Sequence, residues 1–310
     1  MKEPERRRPP GKRKVGSAAG GTLHLRLHER VRRAVPVPTL ARTATGQTHA
    51  APIGHNGTVV GVDYARGDVA HRYASARALS DEVLEGWRIA VAQFAPPGPR
   101  RQRVLDVGAG TGIFARAWAR WRPCEVIALE PSAAMRSEMV AAGLPDDVHL
   151  VAGYGERLPL HVASIHIAWL STVVHHLDSV DECASELRRV VTDDGVVLIR
   201  GLFSDSSAPP GLRFLPGWER ALAAFPPASA VAAALSVCGF RLLGRAEVLD
   251  CGPVTIGEAA GWIRRSRRAD TFLAHMTDDE IAAGLAAMDA CDNGQPLDPG
   301  TLTLLAFGVR

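Results

Sequence analysis

The sequence predicts an α/β protein built on a mostly parallel sheet. Two observations support this fold class. Short apolar runs alternate with helical patterns over residues 103–201, and the first run leads through three glycines directly into a helix. Alternation of strands with amphipathic helices is typical of βαβ units, which place neighbouring strands parallel.

The individual elements follow in chain order. Apolar residues recur at helical spacing over 76–94, and a Pro-Pro-Gly-Pro run at 96–99 ends that helix. The alternating part then comprises strand 103–107, helix 112–121, strand 125–129, helix 132–142, strands 148–151 and 165–170, helix 180–191 and strand 195–201. A less regular Pro-rich stretch follows Ser204. The remaining predicted elements are strand 240–249, helices 255–266 and 277–290, and a last strand from Thr301 to Val309.

The formal net charge of +3 hides an uneven distribution. Residues 1–33 carry 11 Lys/Arg and 3 Asp/Glu, whereas the other residues carry 25 Lys/Arg and 30 Asp/Glu. Residues 1–55 are rich in Arg, Pro and Gly without sustained periodicity, which predicts a disordered basic extension. This extension is either a basic arm for nucleic acid or a membrane surface, or a segment without function. The folded part is predicted over 56–310.

Composition excludes several classes of protein. The five cysteines are scattered without a C-x-x-C pair, which argues against a zinc cage or a disulfide framework and favours a reducing cytoplasm. No apolar run is long enough to predict a membrane span, and the N-terminus has no secretory pattern. We therefore expect a cytoplasmic protein without a bound metal, as a monomer or homodimer.

The run over 104–114 is the most informative feature of the chain. Asp106 ends an apolar strand, and Gly108, Gly110 and Gly112 follow at alternate positions before a helix. A dinucleotide fold has the spacing G-x-G-x-x-G, but Ile113 stands where its third glycine would be. An acid beside the loop repels a pyrophosphate and attracts an ammonium group. The site is therefore predicted to bind a ligand with an amino-acid end.

A second acid, Glu130, ends the next predicted strand. Its position 18 residues past Gly112 returns the chain to the same sheet edge, where a carboxylate accepts the hydroxyls of a ribose. The alternative is an acid that caps the following helix. The segment Pro-Ser-Ala-Ala-Met follows at 131–135.

Together with three further segments, these motifs resemble class I S-adenosylmethionine (SAM) dependent methyltransferases. Residues 153–160 are similar to the family's G-D-A-E-x-L-P-F, with Tyr154 in place of the Asp that contacts adenine. Residues 164–178 are similar to S-F-D-x-V-x-x-x-x-V-x-H-H-x-x-D, with His166 in place of the Asp, and 186–195 are similar to a helix and turn that read L-R-R-V-L-x-P-G-G. The resemblance implies a Rossmann-like fold, a mostly parallel seven-stranded sheet and a helical cap.

The resemblance also implies the site residues. The cofactor core would span 101–201, and the substrate-binding cap and insertions would comprise 56–100, 202–239 and 252–300. Expected cofactor contacts are Tyr73, Arg77, Asp106, Gly108, Ala109, Gly110, Glu130, Pro131, Met135, Tyr154, Gly155, Glu156 and Ser171. Arg77 is either a ligand of the methionine carboxylate or a solvated helix residue.

Methyl transfer from a sulfonium needs alignment and, for acceptors that lose a proton, a base. The candidates for that base are His176 and His175, with Tyr64 as a further group near the substrate; the histidines are otherwise a helix cap or packing residues. Aromatic residues of the later inserts are expected at the acceptor or in the core. They are Phe203, Phe214, Trp218, Phe225, Trp262, Phe272, His275 and Met276.

The predicted acceptor is a small, partly apolar metabolite, such as an indole or a quinone, methylated on C, N or O. The Ala/Arg-rich composition is typical of GC-rich bacteria, in which such enzymes tailor specialised metabolites. Two alternatives are a nucleic-acid methyltransferase that uses the basic tail, which the acidic folded part disfavours, and a non-catalytic SAM-binding regulatory protein.

Overall fold

The computed structural model describes residues 62, 67–76, 79–95, 98, 101–207, 209–250 and 254–310. The predicted extension at 1–55 lies outside the described residues, as do Tyr64 and Arg77. Predictions for these positions therefore stay predictions.

The described chain folds around a seven-stranded sheet in the order β3-β2-β1-β4-β5-β7-β6. The strands are β1 (Gln102–Val107), β2 (Cys124–Leu129), β3 (Val148–Val151), β4 (Ile165–Ser171), β5 (Val191–Gly201), β6 (Phe240–Leu249) and β7 (Thr301–Val309). β1 to β5 pair in parallel, and β7 lies antiparallel between β5 and β6. The prediction of a Rossmann-like, mostly parallel sheet is confirmed.

Ten α-helices surround this sheet in the described residues. They are α1 (Gly67–Ala76), α2 (Asp81–Ala92), α3 (Ile113–Trp121), α4 (Ala133–Ala141), α5 (Val180–Val190), α6 (Trp218–Ala223), α7 (Ala228–Val237), α8 (Ile256–Ser266), α9 (Thr271–Ala274) and α10 (Asp278–Asp289). Side-chain caps fix several of the starts. Ser132 and Ser179 each accept a backbone N–H of the first turn, and Thr277 and Glu280 form a capping box.

Two sequence predictions about the helices are wrong. The helix predicted over 76–94 is shorter in the structure, because the Ser80 side chain accepts the Val83 N–H and starts α2 at Asp81, and Ala76 instead ends the separate helix α1. The Pro-rich stretch expected to be irregular instead forms a 3₁₀ turn at Pro210–Phe214 followed by α6 and α7. Pro227 occupies the position before α7, where proline needs no intrahelical hydrogen bond.

The strand predicted from residue 195 begins earlier. Ile165 pairs with Val191 and Ile167 pairs with Val196, so the register shifts between these two pairs. The intervening residues of β5 form an irregularity next to β4, and the Asp-Asp-Gly run at 193–195 obscures this part of the strand in the sequence.

Hydrophobic side chains fill both faces of the sheet. On one face Trp87, Trp118 and Trp169 are fully buried, and Phe114 lies with its ring centroid 5.0 Å from that of Trp169. The other face packs against α5 and α7, for example through Leu187. A separate cluster joins α8, α9, α10 and the 3₁₀ turn, and this cluster forms one wall of the site described below.

Within the part of the chain that the structure describes, one helical stretch, Trp218–Val237, is long and apolar enough by composition to cross a membrane. Pro226 and Pro227 lie between α6 and α7 and divide it. Leu222, Phe225 and Val231 are buried within the protein. In this protein the stretch therefore forms two short helices, which pack against the rest of the fold.

Candidate functional site

The loop between β1 and α3 depends on its three glycines. Gly108, Gly110 and Gly112 all have positive φ angles, of 66°, 57° and 78°. A Cβ at Gly108 would lie 2.3 Å from Cγ2 of Val173, whereas the nearest atom to a Cβ at Gly110 is Cε1 of Tyr73 at 3.9 Å. Gly108 therefore permits close packing, and Gly110 leaves the space above the loop open.

That space is a small cavity of about 70 Å³ at the carboxyl ends of β1 and β4. It is lined by Tyr73, Leu79, Asp106, Gly108, Ala109, Gly110, Thr111, Ile113, Phe114, Ser171, Thr172, Arg200 and Asp250. Six residues predicted to contact the cofactor thus share one cavity, namely Tyr73, Asp106, Gly108, Ala109, Gly110 and Ser171.

Asp106 is the buried acid of this cavity. Its side chain is 1% exposed, and Oδ2 has no hydrogen-bond partner among the described residues. Burial raises the pKa of Asp106 well above its usual range, and the nearby Glu130 carboxylate raises it further. A buried carboxyl oxygen without a partner is suited to a cationic donor. The methionine ammonium group of SAM is a donor of this kind, so the residues fit the predicted cofactor.

Glu130 is also buried, and its carboxylate holds the loop. Oε2 accepts the Gly110 N–H at 2.8 Å, and Oε1 accepts the Ser132 N–H at 2.9 Å. Burial raises the pKa of Glu130, while these two N–H groups and Arg136 oppose the rise. Each oxygen keeps a second lone pair for a ligand hydroxyl. The carboxylate therefore holds the backbone at Gly110 and Ser132 and still has acceptor capacity, and its contact with a ribose stays a prediction.

We expect Glu130→Gln to weaken binding of S-adenosylhomocysteine (SAH) by about 1–3 kcal/mol, because one amide oxygen cannot replace both carboxylate oxygens. Titration calorimetry of the purified variant measures this change. Glu125→Gln on β2, where the carboxylate pairs with exposed Arg103, is the matched control. If the two variants bind SAH equally well, Glu130 does not belong to the cofactor site.

The remaining predicted cofactor residues follow β2 and β3 and do not line the small cavity. Tyr154 is 64% exposed, whereas Met135 is buried. Gly155 is packed so closely that a Cβ there would lie 3.1 to 3.3 Å from three side chains, and Glu156 accepts the Asp178 N–H. Pro131 is exposed at the end of β2. The cofactor roles of these five residues stay predictions.

A larger cavity of about 490 Å³ adjoins the small one. Its lining comes from the 3₁₀ turn at Pro210–Phe214, α8, α9 and the segments next to β5 and β7. Leu79, Thr172 and Asp250 line both cavities. Thr172 has a φ of 50°, which is uncommon for a residue other than glycine. The two spaces therefore meet at these residues.

The two predicted histidines occupy different surroundings within a 3₁₀ turn after β4. His175 lines the large cavity, and its ring centroid lies 4.6 Å from that of Phe225. His176 does not line it, and its Nε2 lies 3.3 Å from Oγ1 of Thr271. Of the two candidate bases, His175 therefore faces the large cavity and His176 does not, and a role as base stays a prediction for both. Of the predicted aromatic residues, Phe225, Trp262 and Phe272 line the cavity.

Sequence reasoning missed Arg200 and Asp250. Arg200 is 3% exposed, and it donates to Oδ1 of Asp250 at 2.5 Å and to Oγ of Ser171 at 3.1 Å. Its guanidinium carbon lies 4.9 Å from the ring centroid of Trp87, whose Nε1 also donates to Oδ1 of Asp250. A charged residue directly after the apolar run 196–199 was the available signal.

Among the described residues, no group of three or more His, Cys, Asp or Glu side chains is arranged to hold a metal ion.

Comparison with known proteins supports the geometry. Residues 105–199 match the model of a methyltransferase domain. A malonyl-[acyl-carrier protein] O-methyltransferase from Methylovorus sp. is 32% identical over 145 residues, which are 43% of this chain and 47% of that protein. A protein of the same name from Pectobacterium atrosepticum is 28% identical over 80% of this chain and 97% of its own length. The chain spans about half the length of the first of these relatives.

A solved structure supports the fold. A putative methyltransferase from an antibiotic biosynthesis pathway of Anabaena variabilis superposes with a TM-score of 0.57 at 20% identity, over 71% of this chain and 95% of that one. At this level of identity the similarity concerns the fold, which has the strand order found here, and the match over 105–199 is to a methyltransferase domain.

Proposed function

We propose that this protein transfers a methyl group from SAM to a small, partly apolar metabolite bound in the large cavity. The observation that carries the proposal is the meeting of the two cavities at Thr172 and Asp250. The small cavity contains the glycine loop and Asp106, and the large one has the aromatic and aliphatic walls that small-molecule sites typically show.

The protein's own contribution is mainly positioning. SAM supplies a methyl group already activated on a sulfonium. Asp106 is suited to the ammonium end, and the carboxylate of Glu130 fixes Gly110 of the loop. Alignment of two bound reactants contributes on the order of 7–11 kcal/mol. Phe225 and Phe272 provide aromatic surface, which attracts a dispersing positive charge.

The names of the curated relatives favour a second candidate. Both relatives described above are named malonyl-[acyl-carrier protein] O-methyltransferases, so an acyl carboxylate presented by a carrier protein is the alternative acceptor. In the first of them the match covers 43% of this chain, so most of the chain lies outside it. Our first proposal remains methylation of a free metabolite, in the tailoring of specialised metabolites. We place the enzyme in the cytoplasm, as a monomer or homodimer without a role for nucleic acid.

The test begins with the cofactor. We expect SAH to bind the purified protein in titration calorimetry and NAD not to bind. Labelled SAM then serves to screen indoles, quinones, amines and malonyl-carrier protein for methyl transfer. Methylation of malonyl-carrier protein alone would replace the small-metabolite proposal. A folded protein that does not bind SAH would overturn the cofactor assignment, and SAH binding without any transfer would support a regulatory role.

A further inference from the structure

We propose that the acceptor carries an amino group and that Asp250 accepts a hydrogen bond from it at the point of methyl transfer. The inference rests on the proposed function, and it adds the chemical class of the acceptor and a catalytic residue that the sequence did not indicate.

The position of Asp250 is the first argument. Asp250 directly follows β6, and its backbone N–H donates to the Gly300 carbonyl at 2.9 Å before β7. It is one of three residues that line both cavities, together with Leu79 and Thr172. Leu79 is apolar and Thr172 donates its hydroxyl to the Ser171 carbonyl, so Asp250 is the charged group between cofactor and acceptor.

The two carboxylate oxygens of Asp250 differ in their hydrogen bonds. Oδ1 accepts from Nη2 of Arg200 and from Nε1 of Trp87, which fixes the orientation of the carboxylate. Among the described residues, Oδ2 accepts no hydrogen bond, and the side chain is 18% exposed. The carboxylate is therefore held by one oxygen, and the other is available to a donor in the cavity.

The ionisable lining of the large cavity favours a cationic acceptor. Four carboxylates line it, from Asp250, Glu258, Asp270 and Asp298, against the guanidinium of Arg265 and the imidazole of His175, and Arg200 pairs with Asp250 from outside this lining. An acceptor carboxylate would have to approach these acids, whereas an ammonium or amine is attracted to them. The three aromatic side chains Phe225, Trp262 and Phe272 in the same lining also attract a cation.

Methyl transfer to the acceptor nitrogen accounts for every bond and proton as follows. An acceptor bound as an ammonium first loses one proton to water, which frees the nitrogen lone pair. That lone pair then bonds the methyl carbon, the carbon–sulfur bonding pair leaves with sulfur as a neutral thioether, and the positive charge moves onto nitrogen. Asp250 holds an N–H of that nitrogen and stabilises the charge as it forms there. The surplus proton then leaves the product for water.

The test compares two probes that share a ring and chain and differ in the end group and its charge. Tryptamine and indole-3-propionate share the indole ring and a two-carbon chain, and end in an amine and a carboxylate. We expect calorimetry on the protein saturated with SAH to show tryptamine binding at least about tenfold more tightly. Equal binding, tighter binding of the propionate, or binding of neither probe overturns the proposal. Failure of SAH itself to bind would instead overturn the proposed function.

Asp250→Asn tests the residue itself. The amide oxygen still accepts from Arg200 and Trp87, but the charge is lost. We expect the variant to bind tryptamine at least about tenfold more weakly and to bind indole-3-propionate no more weakly than the unmodified protein. Asp146→Asn, at an exposed carboxylate that lines neither cavity, is the control, and we expect it to leave the affinity for both probes unchanged. An unchanged tryptamine affinity in Asp250→Asn excludes Asp250, and the comparison of the two probes stands even if this variant does not fold.

Discussion

Replacing Gly110 with valine is expected to abolish SAH binding in a protein that still folds. The loop at Gly110 faces the small cavity, and the nearest atom to a new Cβ is 3.9 Å away on Tyr73. The branched side chain would therefore occupy the space for the cofactor rather than collide with the core. The N–H of Gly110 also bonds Glu130, so a shift of this residue would disturb the second acid of the site.

The positive φ of Gly110 requires a matched control, because valine in this conformation costs roughly 1–2 kcal/mol wherever it occurs. Gly143 follows α4 with a φ of 82°, and nothing lies within 4 Å of its Cβ position. We expect Gly143→Val to lower the free energy of unfolding by a similar amount and to leave SAH affinity unchanged. Calorimetric titration and urea denaturation of both variants separate the two effects. Normal SAH binding by Gly110→Val would show that the loop is not the cofactor site.

The second large effect is expected in the core beneath the site. Trp169 on β4 is fully buried, and its ring centroid lies 6.1 Å from that of Trp87 and 5.9 Å from that of Trp118. We expect Trp169→Ala to lower the free energy of unfolding by about 3–5 kcal/mol, because lost burial and a residual cavity both contribute. Urea denaturation followed by circular dichroism measures this loss.

Trp169→Phe provides the comparison. Phenylalanine keeps an aromatic ring against Phe114 and removes Nε1, which has no hydrogen-bond partner among the described residues. We expect a loss below about 2 kcal/mol, since a smaller void forms and an unsatisfied polar group disappears. Losses of equal size in the two variants would mean that the aromatic cluster does not stabilise the sheet through packing.

Sequence patterns predicted a helix or strand well where the whole pattern lies within that one element. The bounds of β3, β6 and β7 match the predictions, since each strand is one uninterrupted stretch of sequence between turn residues. The predictions failed where distant or polar contacts decide the structure. The start of the helix predicted over 76–94 depends on the Ser80 cap, and the start of β5 depends on its register with β4.

The residues of the candidate site show the same difference between local and distant contacts. Asp106 and the glycines were predictable because strand, turn and helix are adjacent in the sequence, and they share one cavity in the structure. Arg200 and Asp250 come from different strands separated by β7 in the sheet. Their contact depends on the tertiary arrangement of the sheet and on Trp87 of α2, so the sequence alone does not indicate that the two residues meet.

The position of β7 has a consequence for the order in which the molecule assembles. β7 comes after both of its neighbours in the chain, yet it forms the whole connection between β5 and β6 in the sheet. During synthesis the β5 edge therefore has no strand to pair with until β7 has been made. An unpaired edge is open to pairing with other chains. The same event brings Gly300 to the Asp250 backbone and Leu302 to the large cavity. We therefore expect closure of the sheet and completion of the large cavity to occur together during folding.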